Sequence, residues 1–480
     1  MSTEHVDVLI VGAGLSGIGA AHHLQARLPH KTYAIFEARA ASGGTWDLFR
    51  YPGVRSDSDM QTLGYRFRPW VEAKAIADGP SILEYVRDTA REAGIDRRIR
   101  FGHRVVRAAW STPDARWTVQ TAGEPDVTCD FLYVCGGYYR YDEGYRPEFA
   151  GLEDYAGRLV HPQFWPEDLD YAGQRVVVIG SGATAVTLVP ALAERAAHVT
   201  MLQRSPSYIL SIPSEDPIAN GLRRLLGPRA AYPIARWKNV GISTLVYQLS
   251  QRRPKLMRKL LRHGVASQLP EGYDVDVHFN PRYGPWDQRL CLVPDGDLFK
   301  AISRGRASMV TDEIDRFVAG GVRLVSGAEL DADIVVTATG LNLLAIGGIE
   351  LVVDGEPVSL PEHMAYKGMM LSRVPNFAFT IGYTNASWTL KADLVAEYVC
   401  RLLAHMERHG YRQCTPIDDD PAVQPRPLLD FAAGYVQRSI HRFPKAGSRA
   451  PWRLGMSYAQ DVFTLRHARL EDGALRFSAR

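Results

Sequence analysis

The sequence predicts an α/β fold of two similar units with a basic, helical segment of about seventy residues following the second glycine turn. Three observations predict it. Two segments, His5 to Leu28 and Gln174 to Arg195, each read as an apolar strand, a glycine turn and a helix. Strand and helix signals alternate around both, the pattern of mainly parallel sheets covered on two faces. From about residue 213 to 285 the strand signal stops and basic, helical segments take over. Composition agrees: 480 residues, 46% hydrophobic and 23% charged, exclude a disordered, collagen-like or small disulfide-built chain.

The first unit opens with strand Val6–Val11, which runs into Gly12-Ala-Gly14-Leu-Ser-Gly17. Gly12 permits the tight turn, Gly14 lets backbone approach a pyrophosphate, and Gly17 lets helix and strand pack closely. The helix start then offers N–H groups and a positive dipole end to phosphates. Strand Thr32–Phe36 ends at Glu37, about 20 residues past the last glycine, where a carboxylate accepts hydrogen bonds from ribose hydroxyls. This is a Rossmann-like dinucleotide site suited to an unphosphorylated ribose, as in FAD.

Residues 151–173, with Pro162 and Pro166, suit a linker. Strand Arg175–Ile179 then leads into Gly180, Ser181, Gly182, Ala183, Thr184, Ala185 and Val186, where alanine at the last motif position is a permitted variant. Here strand His198–Leu202 is followed by Gln203, Arg204 and Ser205, without an acid. A guanidinium and a hydroxyl suit a 2′-phosphate, so the second site is expected to take NADPH. Strand signals return at Val322–Ser326, Ile334–Gly340 and Phe377–Ile381, and a long helix near Lys391–Arg408.

Lys plus Arg (56) against Asp plus Glu (53) gives +3, which provides no drive toward nucleic acid. The five cysteines are scattered, with no Cys-x-x-Cys pair and no zinc spacing. A reducing compartment and no metal are expected. So is a departure from disulfide reductases, which use the two-dinucleotide plan but need a redox cysteine pair beside the flavin. Oxygen is then the obvious electron acceptor. No secretory signal or bilayer-length apolar run is seen, and a cytoplasmic protein is expected. Lys255, Arg258, Lys259 and Arg262 share one helical face, with Met257, Leu260 and Leu261 opposite. Such a helix either lies on anionic lipid or, more often, packs on its own protein. Peripheral membrane contact is the lesser expectation.

Tyr155-Ala-Gly157-Arg-Leu-Val-His161-Pro-Gln-Phe-Trp165-Pro166 resembles the Baeyer–Villiger monooxygenase signature FxGxxxHxxxWP, with tyrosine for phenylalanine. Gly43-Gly-Thr-Trp-Asp47, Arg50-Tyr-Pro-Gly53, Pro285-Trp-Asp-Gln-Arg289, Met364–Met370 and Gly382–Lys391 narrow it. They look like the ethionamide-activating group of FAD-containing monooxygenases, over essentially the whole chain. The resemblance implies a discontinuous FAD domain, 1–150 with 365–480. It also implies an NADPH domain, 174–212 with 300–364, interrupted by a helical insertion at 213–299.

The resemblance sets Ser16, Glu37, Thr45, Trp46, Asp47, Leu48 and Asp57 against FAD, with Val105 near the adenine. It sets Arg55, Ser56, Asp57, the Gly180–Val186 turn, Arg204 and Ser205 against NADPH. Arg289 matches the family's active-site arginine and Asp57 the acid that orients it. Ring-type ketone monooxygenases carry lysine before that arginine, where this chain has Gln288. A fixed guanidinium makes chemical sense where anionic oxygen species develop. His161 and Trp165 are read as linker residues. The implied reaction uses NADPH, FAD and dioxygen. A C4a-peroxyflavin inserts one oxygen beside a ketone carbonyl, giving an ester, or oxidises a sulfide or thioamide sulfur. Two alternatives stand: an N- or S-hydroxylating flavin monooxygenase of the broader family, and a flavoprotein reductase without oxygen transfer. Trp165-Pro166 argues against the first and Arg289 against the second.

Overall fold

Two glycine turns sit at the ends of parallel strands in two sheets, in a computed structural model that describes residues 3–288, 290–429 and 431–479. In the first sheet, strand Glu4–Val11 lies between Tyr33–Glu37 and Val127–Val134, parallel to both. Apolar residues on both of its faces fit a strand covered on two sides. Val105–Ser111 and Arg116–Thr121 extend the sheet as an antiparallel meander. Phe377–Phe379 pairs with the end of Val127–Val134.

The second sheet is parallel throughout. Its order is Ala307–Thr311, His198–Gln203, Arg175–Ile179, Ile334–Thr337 and Arg158–Val160. Arg175–Ile179 and His198–Gln203 lie within a residue of the bounds expected from sequence, the strand expected over Ile334–Gly340 ends at Thr337, and Ala307–Thr311 and Arg158–Val160 were not expected. A three-stranded antiparallel layer, Ile314–Val318, Gly321–Leu324 and Glu329–Asp331, supports it.

Pairing moves three expected boundaries. Glu350–Val353 runs parallel to Val105–Ser111, and Leu341–Leu343 pairs with Tyr139–Gly144. The chain therefore returns to the first unit near residue 341, not at 365. Arg158–Val160 is an edge strand of the second sheet, so the expected linker 151–173 contributes structure to it. Cys291–Pro294 pairs with Ile209–Ile212, so the helical insertion closes before 291, not at 299.

Within the insertion, helices Pro217–Leu226, Pro228–Arg252 and Pro254–Ala266 each begin on proline, whose missing N–H is unneeded in a first turn. The last buries Met257, Leu261 and Val265 against its own protein. Leu260, expected on that face, is exposed. Helix Trp388–His409 packs along Leu15–Arg27, so the last part of the chain completes the first unit's core.

Candidate functional site

One cavity of about 580 Å³ runs from the first glycine turn to the second unit. Its wall includes Gly12, Gly14, Ser16 and Glu37 at one end, and Ala183, Thr184 and Thr187 at the other. Both ends are built alike. Gly12 has φ +103° and a Cβ there would lie 2.8 Å from the Cys135 carbonyl oxygen. Gly180 has φ +141° and its Cβ would lie 2.3 Å from that of Ala338. Gly14 and Gly182 start helices Leu15–Arg27 and Ala183–Leu192, and neither start receives a side-chain cap. Their first-turn N–H groups therefore suit phosphate oxygens.

Glu37 is buried beside the first turn. One carboxylate oxygen accepts from Ala13 N–H at 2.8 Å, the other from Arg39 N–H at 3.0 Å. Burial raises its pKa against the lowering effect of those two bonds. Its remaining lone pairs suit ribose hydroxyls. Val105, Thr45, Trp46 and Leu48 line the same wall. Thr45 Oγ1 lies 3.0 Å from the Tyr141 hydroxyl, whose pKa burial pushes up to about 12. Trp388 Nε1 donates to Ser16 Oγ at 2.7 Å and joins the C-terminal helix to the first turn. These features fit a bound dinucleotide.

Asp47 lies behind this wall. It is 2% exposed, does not line the cavity, and accepts from Arg39 at 2.6 Å, Arg87 at 2.6 Å and Arg50 at 3.3 Å. It organises the loop beneath the wall. Arg55, Ser56 and Asp57 do line the cavity. Arg55 forms a two-point ion pair with Asp297 of the second unit. Ser56 Oγ donates to Ser58 O at 2.6 Å, and Ser58 Oγ to Asp57 at 3.4 Å.

Arg204 and Ser205 are exposed just past strand His198–Gln203. Ser181 Oγ and Ser207 Oγ lie 2.9 Å apart across this edge. Arg289 lies outside the described residues. Strand Cys291–Pro294 follows it, and Leu292 reaches the cavity wall.

The signature around His161 is a latch. His161 Nδ1 accepts from Gln163 N–H at 3.2 Å, and the ring lies over Gly144, where a Cβ would meet it at 2.3 Å. Gln163 Nε2 donates to Arg140 O and Tyr141 O at 2.9 and 3.0 Å. Burial lowers the His161 pKa. The motif thus fastens the strand that carries Tyr141. No disulfide joins the five buried cysteines, and Cys135 alone of them reaches the cavity, with its thiol pKa pushed up to about 12 by burial. Sequence reasoning missed Arg39, Tyr141 and Arg87. Arg39 was findable, two residues past the strand-end acid; the other two depend on distant chain segments.

Residues 9–214 match the family model described as pyridine nucleotide-disulphide oxidoreductase. The chain is 58% identical to the FAD-containing monooxygenase EthA of Mycobacterium tuberculosis, over 100% of this chain and 99% of the relative. It belongs to the FAD-containing monooxygenases. The putative FAD-containing monooxygenase MymA of the same species is 53% identical, over 99% of this chain and 98% of that one. Among solved structures, an oxidized steroid monooxygenase bound to NADP aligns with TM-score 0.80 at 23% identity, covering 98% of this chain and 99% of that one. An open cyclohexanone monooxygenase aligns with TM-score 0.78 at 20% identity, covering 99% and 100%. These two likenesses establish the fold.

Proposed function

We propose that the protein is an NADPH-dependent FAD monooxygenase that inserts one oxygen atom beside a ketone carbonyl or onto the sulfur of a sulfide or thioamide. The observation that carries the reading is the single cavity joining two uncapped glycine-turn helices. The absence of a cysteine pair from its wall weighs against a disulfide reductase. The relatives include FAD-containing monooxygenases, and the steroid monooxygenase of like fold is one bound to NADP.

Bound flavin supplies two-electron chemistry with a nicotinamide and with dioxygen. The chain's contribution is binding, orientation and charge. The first turn and Glu37 hold the pyrophosphate and ribose of FAD, with Ser16, Thr45, Trp46 and Leu48 along its length and Val105 by the adenine. Residues 180–186 hold the pyrophosphate of NADPH, and Arg204 with Ser205 its 2′-phosphate. Arg55 acts through Asp297, positioning one unit against the other. Asp57 orients Arg289, whose guanidinium stabilises negative charge as oxygen is transferred. His161 and Trp165 are structural.

The test is a panel of ketones, sulfides and thioamides under ¹⁸O-labelled dioxygen, with NADPH consumption and product mass read together. One labelled oxygen in an ester or S-oxide is expected. NADPH consumption with no label in any product overturns oxygen transfer, and a labelled N-oxide or hydroxylamine from an added amine moves the protein to the N-hydroxylating class.

A further inference from the structure

Residues 217–270 contain eleven lysines and arginines and no acid, in a chain whose net charge is only +3. The rest of the molecule is therefore net negative, and the positive charge is gathered in the helical insertion. Part of it is used internally. Arg236 is buried and donates to Gln61 O and Gly64 O at 2.9 and 2.7 Å. Lys238 pairs with Asp216, and Arg262 with Asp276. Arg258 donates to the Tyr208 hydroxyl. Arg224, Arg229, Arg252, Arg253, Lys255 and Lys259 are exposed and form no ion pair among the described residues.

The same three helices expose large apolar side chains. Leu225 is 80% and Ile218 59% exposed on Pro217–Leu226. Ile234, Trp237 and Leu245 are 49%, 50% and 66% exposed on Pro228–Arg252, and their spacing sets them on one side of that helix. Leu256 and Leu260 are 48% and 52% exposed on Pro254–Ala266, next to Lys255 and Lys259 on its outer side. Large apolar side chains exposed on three successive helices mark an interaction surface.

We propose that this face docks reversibly on an anionic lipid surface. A polyanion alone explains the cations and leaves Leu225 and Leu245 without a partner. An apolar protein partner explains the leucines and leaves six unpaired cations. The boundary between headgroups and acyl chains satisfies both at once, with leucine and isoleucine entering shallowly while arginine and lysine meet phosphate. No helix among the described residues is long and apolar enough to cross a membrane, so the helices lie on the surface. Docking is independent of the oxygenation chemistry.

The holoenzyme is sedimented with vesicles of phosphatidylcholine alone or of phosphatidylcholine and phosphatidylglycerol at 3:1, in low salt and in 0.5 M salt. Binding to the anionic vesicles is expected, at least tenfold weaker on neutral vesicles and in high salt. The triple variant Arg252→Gln, Lys255→Gln, Lys259→Gln loses roughly fivefold per cation, on the order of a hundredfold together. The exposed pair Leu225→Gln, Leu245→Gln loses at least tenfold. Retained flavin absorbance verifies that both variants fold. Equal binding to both vesicle types, no binding to anionic vesicles, or binding unchanged in both variants overturns the proposal. Self-association without vesicles, lost in the leucine variant and with no vesicle binding, overturns it in favour of a second copy of the chain.

Discussion

Glu37 shows how far a single position can be read. Its place after a strand and a glycine turn pointed to a ribose, and the fold gives its carboxylate two backbone N–H donors and a place on the cavity wall. Losing hydrogen bonds to a charged group costs about 1.5–3 kcal/mol, so Glu37→Ala is expected to hold FAD roughly ten- to a hundredfold more weakly. The ratio of flavin to protein absorbance after gel filtration checks this; full occupancy removes the assignment. Arg204 is exposed at the second strand's end, free to meet a 2′-phosphate. Arg204→Ala is expected to lose about ten- to a hundredfold in kcat/KM with NADPH and little with NADH. Equal losses with both nucleotides place its effect elsewhere. Arg289 lies outside the described residues, and its proposed role rests on its motif alone. Arg289→Ala is expected to keep NADPH-driven flavin bleaching in stopped flow while product falls about a hundred- to a thousandfold and hydrogen peroxide takes its place. Retained product sinks its catalytic role, and an equal loss of bleaching moves it to nucleotide binding. Asp47 shows the limit of motif reading, because its three arginines come from positions 39, 50 and 87 and only folding brings them together.

Among elements, the helix pair Leu15–Arg27 and Trp388–His409 carries a pH response. His22 stacks on Phe67 at 3.5 Å, and burial depresses its pKa to about 4. Beside it His23 Nε2 lies 3.1 Å from Asp393 Oδ1. Although burial raises the Asp393 carboxyl, its bonds to His23 and the Arg236 charge hold it below the usual range. A histidine depressed in the folded state takes up its proton on unfolding, so its cost to stability appears as pH falls through the unfolded value near 6.5 and levels off below about 4. The depressed carboxyl acts in the same direction at lower pH. Melting temperature is therefore expected to fall between pH 7 and 4.5. His22→Gln should flatten that fall by about one proton per molecule, and an unchanged slope removes His22 as a cause. Elements as long as these two helices were legible, because apolar periodicity and a glycine turn fix them locally. Glu350–Val353 was not: four residues find their sheet only by pairing with Val105–Ser111, so the boundary near 341 was invisible in the sequence.

At the scale of the whole molecule, the two units share one cavity, so its shape depends on how they dock. The Arg55–Asp297 pair spans them directly: Arg55 sits in a loop of the first unit, and Asp297 opens helix Asp297–Ser303 of the second. Their side chains are 13% and 30% exposed. Removing one partner of a fully buried pair costs about 3–5 kcal/mol, and this pair, less buried, is expected to contribute about 1–3 kcal/mol to docking. Asp297→Asn should thus leave each unit folded and loosen their alignment. The nicotinamide and the flavin would meet less often in the productive geometry, which lowers flavin reduction, and a less closed site admits water, which favours peroxide release over transfer to substrate. The expected outcome is a severalfold drop in kcat/KM for NADPH together with a higher ratio of hydrogen peroxide to product. Asp297→Glu, which keeps the charge, should recover part of both. A merely structural role would lower the melting temperature without moving the peroxide ratio. If Asp297→Asn changes stability alone, the pair is a brace and the alignment of the two units rests on other contacts.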